Sequence, residues 1–309
     1  MGGKSPLRTV VLAATAVAVG SLVLALAFGS VLHWNVPGFD RERSRGDGTP
    51  FEESRSVPGP GIGSVRLEAV SERLEVSYGT GDSFTVRLYG NMRPASAEEA
   101  PRLSVKNEGG ILSVKVERKP IGGFWYDMVL ALELPAGYSG SLAASSVSGA
   151  VEVSDGTFRD LALSSTSGAV RAGTMKAQSI EMSSTSGSLH LASADAEKTR
   201  LSSGSGSIEA GGLGGAVRAD STSGRILLDF RASPSEVDVQ STSGSVRVGF
   251  PEDARFVLDA GSTSGSVACA FPITISGKKA GDHSLAGTVN GGTQRVKIRT
   301  VSGSIRVRR

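Results

Sequence analysis

The sequence predicts an all-β protein: a β-solenoid (β-helix-like) of about 19-residue repeats, preceded by one N-terminal transmembrane helix. Three observations support this prediction. A Ser-Gly motif recurs at a near-constant interval, each motif precedes alternating apolar and polar residues, and one long apolar segment lies near the N-terminus. The chain has 309 residues, of which 41 are glycine and 5% are aromatic. Such a composition suits a narrow core enclosed by short strands and tight turns.

The first predicted element is a membrane helix at residues 9–33. Between Arg8 and Asp40 the chain contains no Asp, Glu, Lys or Arg, and Val, Ala and Leu dominate. As a helix, these residues would extend about 36 Å, enough to cross a hydrocarbon core of about 30 Å. We therefore expect this segment to insert into the cell membrane.

The apolar run is longer than the hydrophobic region of an ordinary signal peptide, which favours an uncleaved signal anchor. The tripeptide Ala25-Leu26-Ala27 keeps cleavage open as an alternative. A short basic N-terminal tail usually stays inside the cell. We therefore expect residues 1–8 to form a cytoplasmic tail, and the bulk of this single-pass chain to be extracytoplasmic.

Residues 34–62 are predicted to form a flexible linker, because they contain prolines, glycines and charged residues and show no periodic pattern of apolar residues. Residues 63–309 then form the β-strand-repeat domain, with regular repeats over residues 140–309. Its first part, residues 63–134, alternates like strands but lacks the serine motif.

Composition argues against several classes of function. The net charge is +3, but residues 1–45 hold five of the 33 basic residues and two of the 30 acidic ones, which leaves 28 of each elsewhere. A neutral domain gives no support for nucleic-acid binding. The single cysteine, Cys269, excludes an internal disulfide, and no metal, cofactor or catalytic motif is apparent.

The repeat is defined by its glycines, most of which lie 18 to 21 residues apart. They are Gly149, Gly168, Gly187, Gly206, Gly224, Gly244, Gly265 and Gly303. The last interval is 38 residues, equal to two repeats, with Gly287 as a weak marker between them. Self-similarity at this period is typical of a solenoid, and eight or nine rungs would form a rod of about 40 Å.

Residues two and four positions after each glycine are apolar or small, as in Val151 and Val153, and the residue between them is mostly polar. This alternation predicts a half-buried strand. A second, weaker strand, such as the one containing Leu161 and Leu163, completes each repeat. An antiparallel sandwich or meander remains an alternative, since it would also place two strands in each repeat.

Two surfaces are candidate binding sites. The aromatic residues Phe124, Trp125 and Tyr126 either cap the first rungs or form a ligand-binding patch. A C-terminal basic group alternates with apolar residues and is predicted to face outward from the last rung. It consists of Arg295, Lys297, Arg299, Arg306 and Arg308. These charges either discourage end-to-end stacking or bind an anionic envelope polymer or lipid head groups.

Other polar residues have two interpretations each. Cys269 lies in an inward column and is expected to pack in the core, with a reactive thiol as the alternative. His190 lies between Arg171 and Glu209, which predicts a solvated charge ladder or an acid/base site. The Ser/Thr columns either bond to the turn backbone or form a hydroxyl ridge that binds glycan.

The run at residues 129–137, followed by the Ser-Gly motif at residues 146–153, resembles the bacterial putative-adhesin family of β-strand repeats. That family is a domain of unknown function. The resemblance covers residues 63–309 and implies an extracytoplasmic, β-solenoid-like domain with no catalytic residues to transfer. Members often follow a membrane segment, and some are encoded in cell-envelope stress operons.

The expected function is therefore non-catalytic binding or scaffolding at the cell envelope by a membrane-anchored, adhesin-like protein. Its expected partners are the membrane and an envelope glycan or a neighbouring membrane protein. Two alternatives remain: a cell-envelope stress regulator acting through membrane partners, and a polysaccharide-active β-helix enzyme.

Overall fold

The computed structural model describes residues 49–92, 100–118, 126–275 and 282–309. All regular secondary structure within these residues is β-strand, as predicted. The predicted tail and membrane helix at residues 1–33 lie outside this part of the chain. None of the described residues form a helix long and apolar enough to cross a bilayer.

The structure contains 23 strands in the described ranges. They are β1 (Thr49–Pro58), β2 (Ser64–Ala69), β3 (Arg73–Tyr78), β4 (Ser83–Met92), β5 (Arg102–Glu108), β6 (Ile111–Glu117), β7 (Tyr126–Leu134), β8 (Ser141–Ser146), β9 (Val151–Val153), β10 (Gly156–Thr157), β11 (Asp160–Ser165), β12 (Val170–Ser184), β13 (Leu189–Ser203), β14 (Ile208–Leu213), β15 (Ala216–Ser221), β16 (Ile226–Phe230), β17 (Glu236–Ser241), β18 (Val246–Gly249), β19 (Phe256–Ser262), β20 (Val267–Cys269), β21 (Ser284–Val289), β22 (Arg295–Thr300) and β23 (Ile305–Arg308).

Most strands belong to two parallel columns that enclose one apolar core. A rung is a strand of the first column, a tight turn, and a strand of the second column. The long strands β12 and β13 each supply the second column of one rung and the first column of the next. The result is a solenoid-like stack, which agrees with the predicted architecture.

Neighbouring rungs stack in register, so equivalent residues of the repeat form continuous columns. Val170, Leu189, Ile208 and Ile226 occupy one inward column, and each is at most 1% exposed. The predicted alternation is therefore confirmed.

The spatial order of the rungs differs from the order of the chain. The first column runs β6, β2, β8, β11, β12, β13, β15, β17, β22 and β19. The second runs β7, β3, β9, β12, β13, β14, β16, β18, β23 and β20. At each end, one rung is therefore inserted between two others.

The C-terminal strands β22 and β23 form the penultimate rung, so the prediction that they form the last one is wrong. The reason lies in β21, which folds back antiparallel onto the outer edge of β19. The next strand, β22, then pairs with the opposite edge of β19, between β19 and β17. Gly287 belongs to β21 and marks no rung.

Antiparallel strands cover the ends of the first column and one end of the second. At the N-terminal end, β5 covers β6, and β4 covers β7. Strand β1 pairs with β4 along its whole length, from Thr49 to Pro58. The folded domain thus begins inside the predicted linker. Composition alone concealed this strand, because an edge strand tolerates the prolines and charges that suggest a linker.

Candidate functional site

The structure separates the five predicted basic residues into two groups. Strand β22 presents Arg295, Lys297 and Arg299 on the outer side of the first column, whereas β23 presents Arg306 and Arg308 on the second. They do not form one basic surface.

Acidic neighbours neutralise part of each basic group. Arg299 Nη2 lies 2.5 Å from Asp259 Oδ2, and Arg308 Nη2 lies 2.7 Å from Asp229 Oδ1. The second pair crosses over Gly249, where an added Cβ would lie 2.2 Å from the Asp229 oxygen. These arginines therefore join rungs to one another.

The predicted aromatic group is only partly within the described residues. Phe124 and Trp125 lie outside them. Tyr126 begins β7, where its backbone aligns with Met92 of β4.

In each regular turn one serine or threonine, buried in every case except the half-buried Ser262, binds the turn backbone. The Ser184 hydroxyl accepts the N–H of Gly187 at 2.9 Å and donates to the carbonyl of Gly168, in the adjacent rung, at 3.2 Å. The same acceptor role recurs along the stack. It is played by Ser146, Ser165, Ser203, Ser221, Ser241, Ser262 and Thr300. For these hydroxyls, the structural interpretation is confirmed.

The glycine of the motif is required by close packing between turns. A Cβ on Gly187 would lie 1.9 Å from the carbonyl oxygen of Gly168, far inside contact distance. Adjacent turns therefore approach backbone to backbone.

The residue after each buried serine faces outward, and these residues form a line that we call the turn ridge. In spatial order the turn ridge consists of Val147, Thr166, Thr185, Gly204, Thr222, Thr242, Val301 and Thr263. It runs along one side of the stack, beside the outer face of the first column.

A shallow groove of about 550 Å³ lies beside part of the turn ridge, from Gly204 to Thr263. The residue before each buried serine forms its wall. In the first rungs this position holds Ser145, Ser164 and Ser183, which are short. Along the groove it holds Ser202, Asp220, Gln240 and Arg299. We call these four residues the wall.

Hydrogen bonds to neighbouring side chains or backbone hold the longer wall residues in place. Asp220 accepts the Nε–H of Arg218 at 2.9 Å, and Gln240 Nε2 donates to the Asp238 carboxylate at 3.3 Å. Arg299 donates to the Asp259 backbone oxygen at 2.8 Å. The hydrogen bond and charge of Asp220 raise the pKa of Arg218 above its ordinary value, so that guanidinium stays charged.

The sequence contained a signal for this wall, because the column changes from serine to longer side chains at Asp220. It did not reveal that Arg299 follows Gln240, since that neighbour relationship depends on the inserted rung.

The predicted charge ladder is present on the second column. Arg171 lies 2.9 Å from Glu152, and His190 Nδ1 lies 3.7 Å from Glu209. Cys269 packs against the core, and burial raises the pKa of its thiol above the ordinary value. No group of three potential metal ligands occurs among the residues that the structure covers.

A family model described as Toastrack DUF4097 matches residues 66–308, from β2 to β23. The chain belongs to the Toastrack DUF4097 family. This membership confirms the family resemblance predicted from the sequence, and the match covers most of the rung array. No curated protein matches the chain with significant sequence similarity.

Several solved structures are similar to this Toastrack chain. A putative adhesin from Bacteroides fragilis has a TM-score of 0.51 and 15% identity, covering 83% of this chain and 97% of that one. A putative adhesin from Parabacteroides merdae gives 0.47 and 11%, covering 83% and 95%. A putative lipid binding protein from Parabacteroides distasonis gives 0.46 and 17%, covering 85% and 99%. At 15% identity, the Bacteroides likeness establishes a shared fold alone.

Proposed function

We propose that this Toastrack protein is a membrane-anchored, extracytoplasmic binding protein of the cell envelope that performs no catalysis. The groove between the turn ridge and the wall is the observation that carries this proposal. It crosses several rungs, most of the residues that line it are polar, and several of its side chains are already held in position. Such a surface suits adhesion to an extended partner.

Three outward carboxylates support binding over catalysis. Glu152, Asp238 and Asp259 each pair with an arginine of an adjacent rung, at 2.9, 3.5 and 2.5 Å. A glycosidase needs two carboxyl groups whose environments push their pKa values apart. Carboxylates paired with arginine stabilise the stack and are poorly suited to donating a proton.

The apolar segment at residues 9–33 supports the membrane anchor, and its basic N-terminal flank supports an outside location for the domain. The name of the Bacteroides fragilis protein, a putative adhesin, agrees with a binding role.

Cysteine labelling on intact cells tests the location. Ser44 lies between the apolar segment and β1, so a Ser44→Cys variant on a Cys269→Ser background provides one reactive thiol. We expect a membrane-impermeant maleimide to label it, and the protein to remain in the membrane fraction. The Cys269→Ser protein without the new thiol is the matched control. Absence of labelling, while a known external cysteine reacts, would refute the extracytoplasmic location.

A further inference from the structure

The groove between the turn ridge and the wall has features that identify a class of ligand. We propose that it binds an extended, uncharged oligosaccharide, an inference that rests on the binding function proposed above. Its shape, hydrogen-bonding groups, charge balance and rigidity each support this assignment.

The shape of the groove fits a linear chain. It runs across five rungs, from Gly204 to Thr263. Parallel strands lie about 4.8 Å apart, so the groove extends about 19 Å. At one end the turn-ridge position is Gly204, which lacks the side chain present at this position in the other rungs. A shallow channel of this length accommodates several sugar units lying along the stack.

The groups that line the groove match a ligand rich in hydroxyls. Thr222, Thr242 and Thr263 are exposed, and each hydroxyl can donate and accept a hydrogen bond. Gln240 adds an amide with both functions. Val301, which is 48% exposed, supplies an apolar surface against which the C–H face of a sugar ring can pack.

The charges of the groove balance one another. Its lining contains one carboxylate, Asp220, and one guanidinium, Arg299. Each is already paired outside the groove, with Arg218 and Asp259 respectively. The groove therefore has no excess positive charge to attract a polyanion, which favours a neutral chain over an anionic polymer.

The wall is organised before any ligand arrives. Asp220, Gln240 and Arg299 each make a hydrogen bond to a neighbouring side chain or backbone oxygen. Ordering rotamer-rich side chains opposes binding, and side chains held in advance reduce that cost. In the first rungs the turn ridge lies beside serines only and lacks the longer wall residues. These rungs therefore serve as a control surface within the same molecule.

The test uses the full-length protein in detergent micelles. A microarray carrying neutral linear oligosaccharides, acidic oligosaccharides and short peptides first identifies the class that binds. Biolayer interferometry with the tightest-binding neutral oligosaccharide then gives a dissociation constant for each variant. Co-sedimentation with isolated cell envelopes is measured in parallel.

Two pairs of variants locate the site. Thr242→Tyr fills the groove, whereas Thr185→Tyr adds the same bulk to the turn ridge outside it. Gln240→Ala removes an amide from the wall, and Gln178→Ala is its exposed counterpart elsewhere. We expect each groove variant to weaken neutral oligosaccharide binding about tenfold or more, and each control to stay within about twofold.

Each outcome has a defined meaning. Equal binding by Thr242→Tyr and wild type would refute the site, and binding of only acidic glycans or only peptides would refute the ligand class. Envelope co-sedimentation without neutral oligosaccharide binding would overturn this inference and leave the proposed function standing. Absence of both would overturn both proposals.

Discussion

At the scale of single residues, the buried serine of each regular turn holds the stack together. Its hydroxyl accepts the N–H of the glycine three residues later, and in several rungs it donates to the glycine carbonyl of the adjacent rung. One small side chain therefore provides a hydrogen-bond acceptor for a backbone N–H of its own turn and links that turn to the adjacent one. Serine also fits between turns whose backbones are in contact.

Replacing Ser184 with alanine should destabilise the fold by about 1–3 kcal/mol, because the buried N–H of Gly187 loses its acceptor. Urea unfolding followed by circular dichroism measures the change. The control is Ser183→Ala, one residue earlier on the outer face, where we expect a change within about 0.5 kcal/mol. Equal losses from the two substitutions would contradict this role of the buried hydroxyl.

At the scale of strands, the order of the rungs depends on the β19–β21 hairpin. Strand β21 occupies the outer edge of β19, so β22 enters between β17 and β19. Strand β23 follows it into the second column and pairs with both β18 and β20. The C-terminal residues are consequently enclosed between two other rungs.

Disulfide formation distinguishes this order from stacking in chain order. Cys269 aligns with Val307 in the adjacent strand, whereas Val248 lies on the far side of β23. Neighbouring strands are about 4.8 Å apart and next-neighbours about 10 Å, while a disulfide needs Cα atoms within about 7 Å. We expect Val307→Cys to cross-link with Cys269 on mild oxidation.

The matched variant Val248→Cys should not cross-link with Cys269. In simple chain order the Val248→Cys protein would also cross-link, since the repeat of Val248 would adjoin that of Cys269. Mass spectrometry of non-reduced peptides identifies the linked pair. A disulfide to Cys269 in the Val248→Cys protein would refute the inserted rung.

At the scale of the whole molecule, the protein is a stack of similar rungs in which the end rungs differ from the middle ones in their strand pairing. Antiparallel strands cover β6, β7 and β19, and both inserted rungs lie one position inside an end. In such arrays each rung contacts its neighbours, so local stability depends on position in the stack and not on position in the chain.

Hydrogen exchange measures this dependence on position. Strand β23 ends one residue before the C-terminus, yet it is paired on both sides. We expect its amides to exchange as slowly as those of β18, and more slowly than those of β20, which among the described strands pairs with β23 alone. Exchange of β23 at the rate of a frayed terminus would contradict the enclosed position.

Sequence alone determined the local structure of the repeat. The alternation of apolar residues, the near-19-residue period and the Ser-Gly turns are encoded within each repeat, so they predicted strands, turns and the inward columns such as Val170 and Leu189. The family resemblance and the outward charge ladder followed from the same alignment.

Only the tertiary structure decided which rungs are neighbours. Every rung presents nearly the same backbone hydrogen-bonding edges, so the repeat pattern cannot show that β22 enters between β17 and β19. The same ambiguity concealed the groove, because Gln240 and Arg299 become adjacent only through the inserted rung. Strand β1 was concealed by its composition, since its prolines and charges are compatible with both a linker and an edge strand. The sequence of each repeat encodes the periodicity. The order of the rungs depends instead on which strand edge is still unpaired when the next strand joins the sheet.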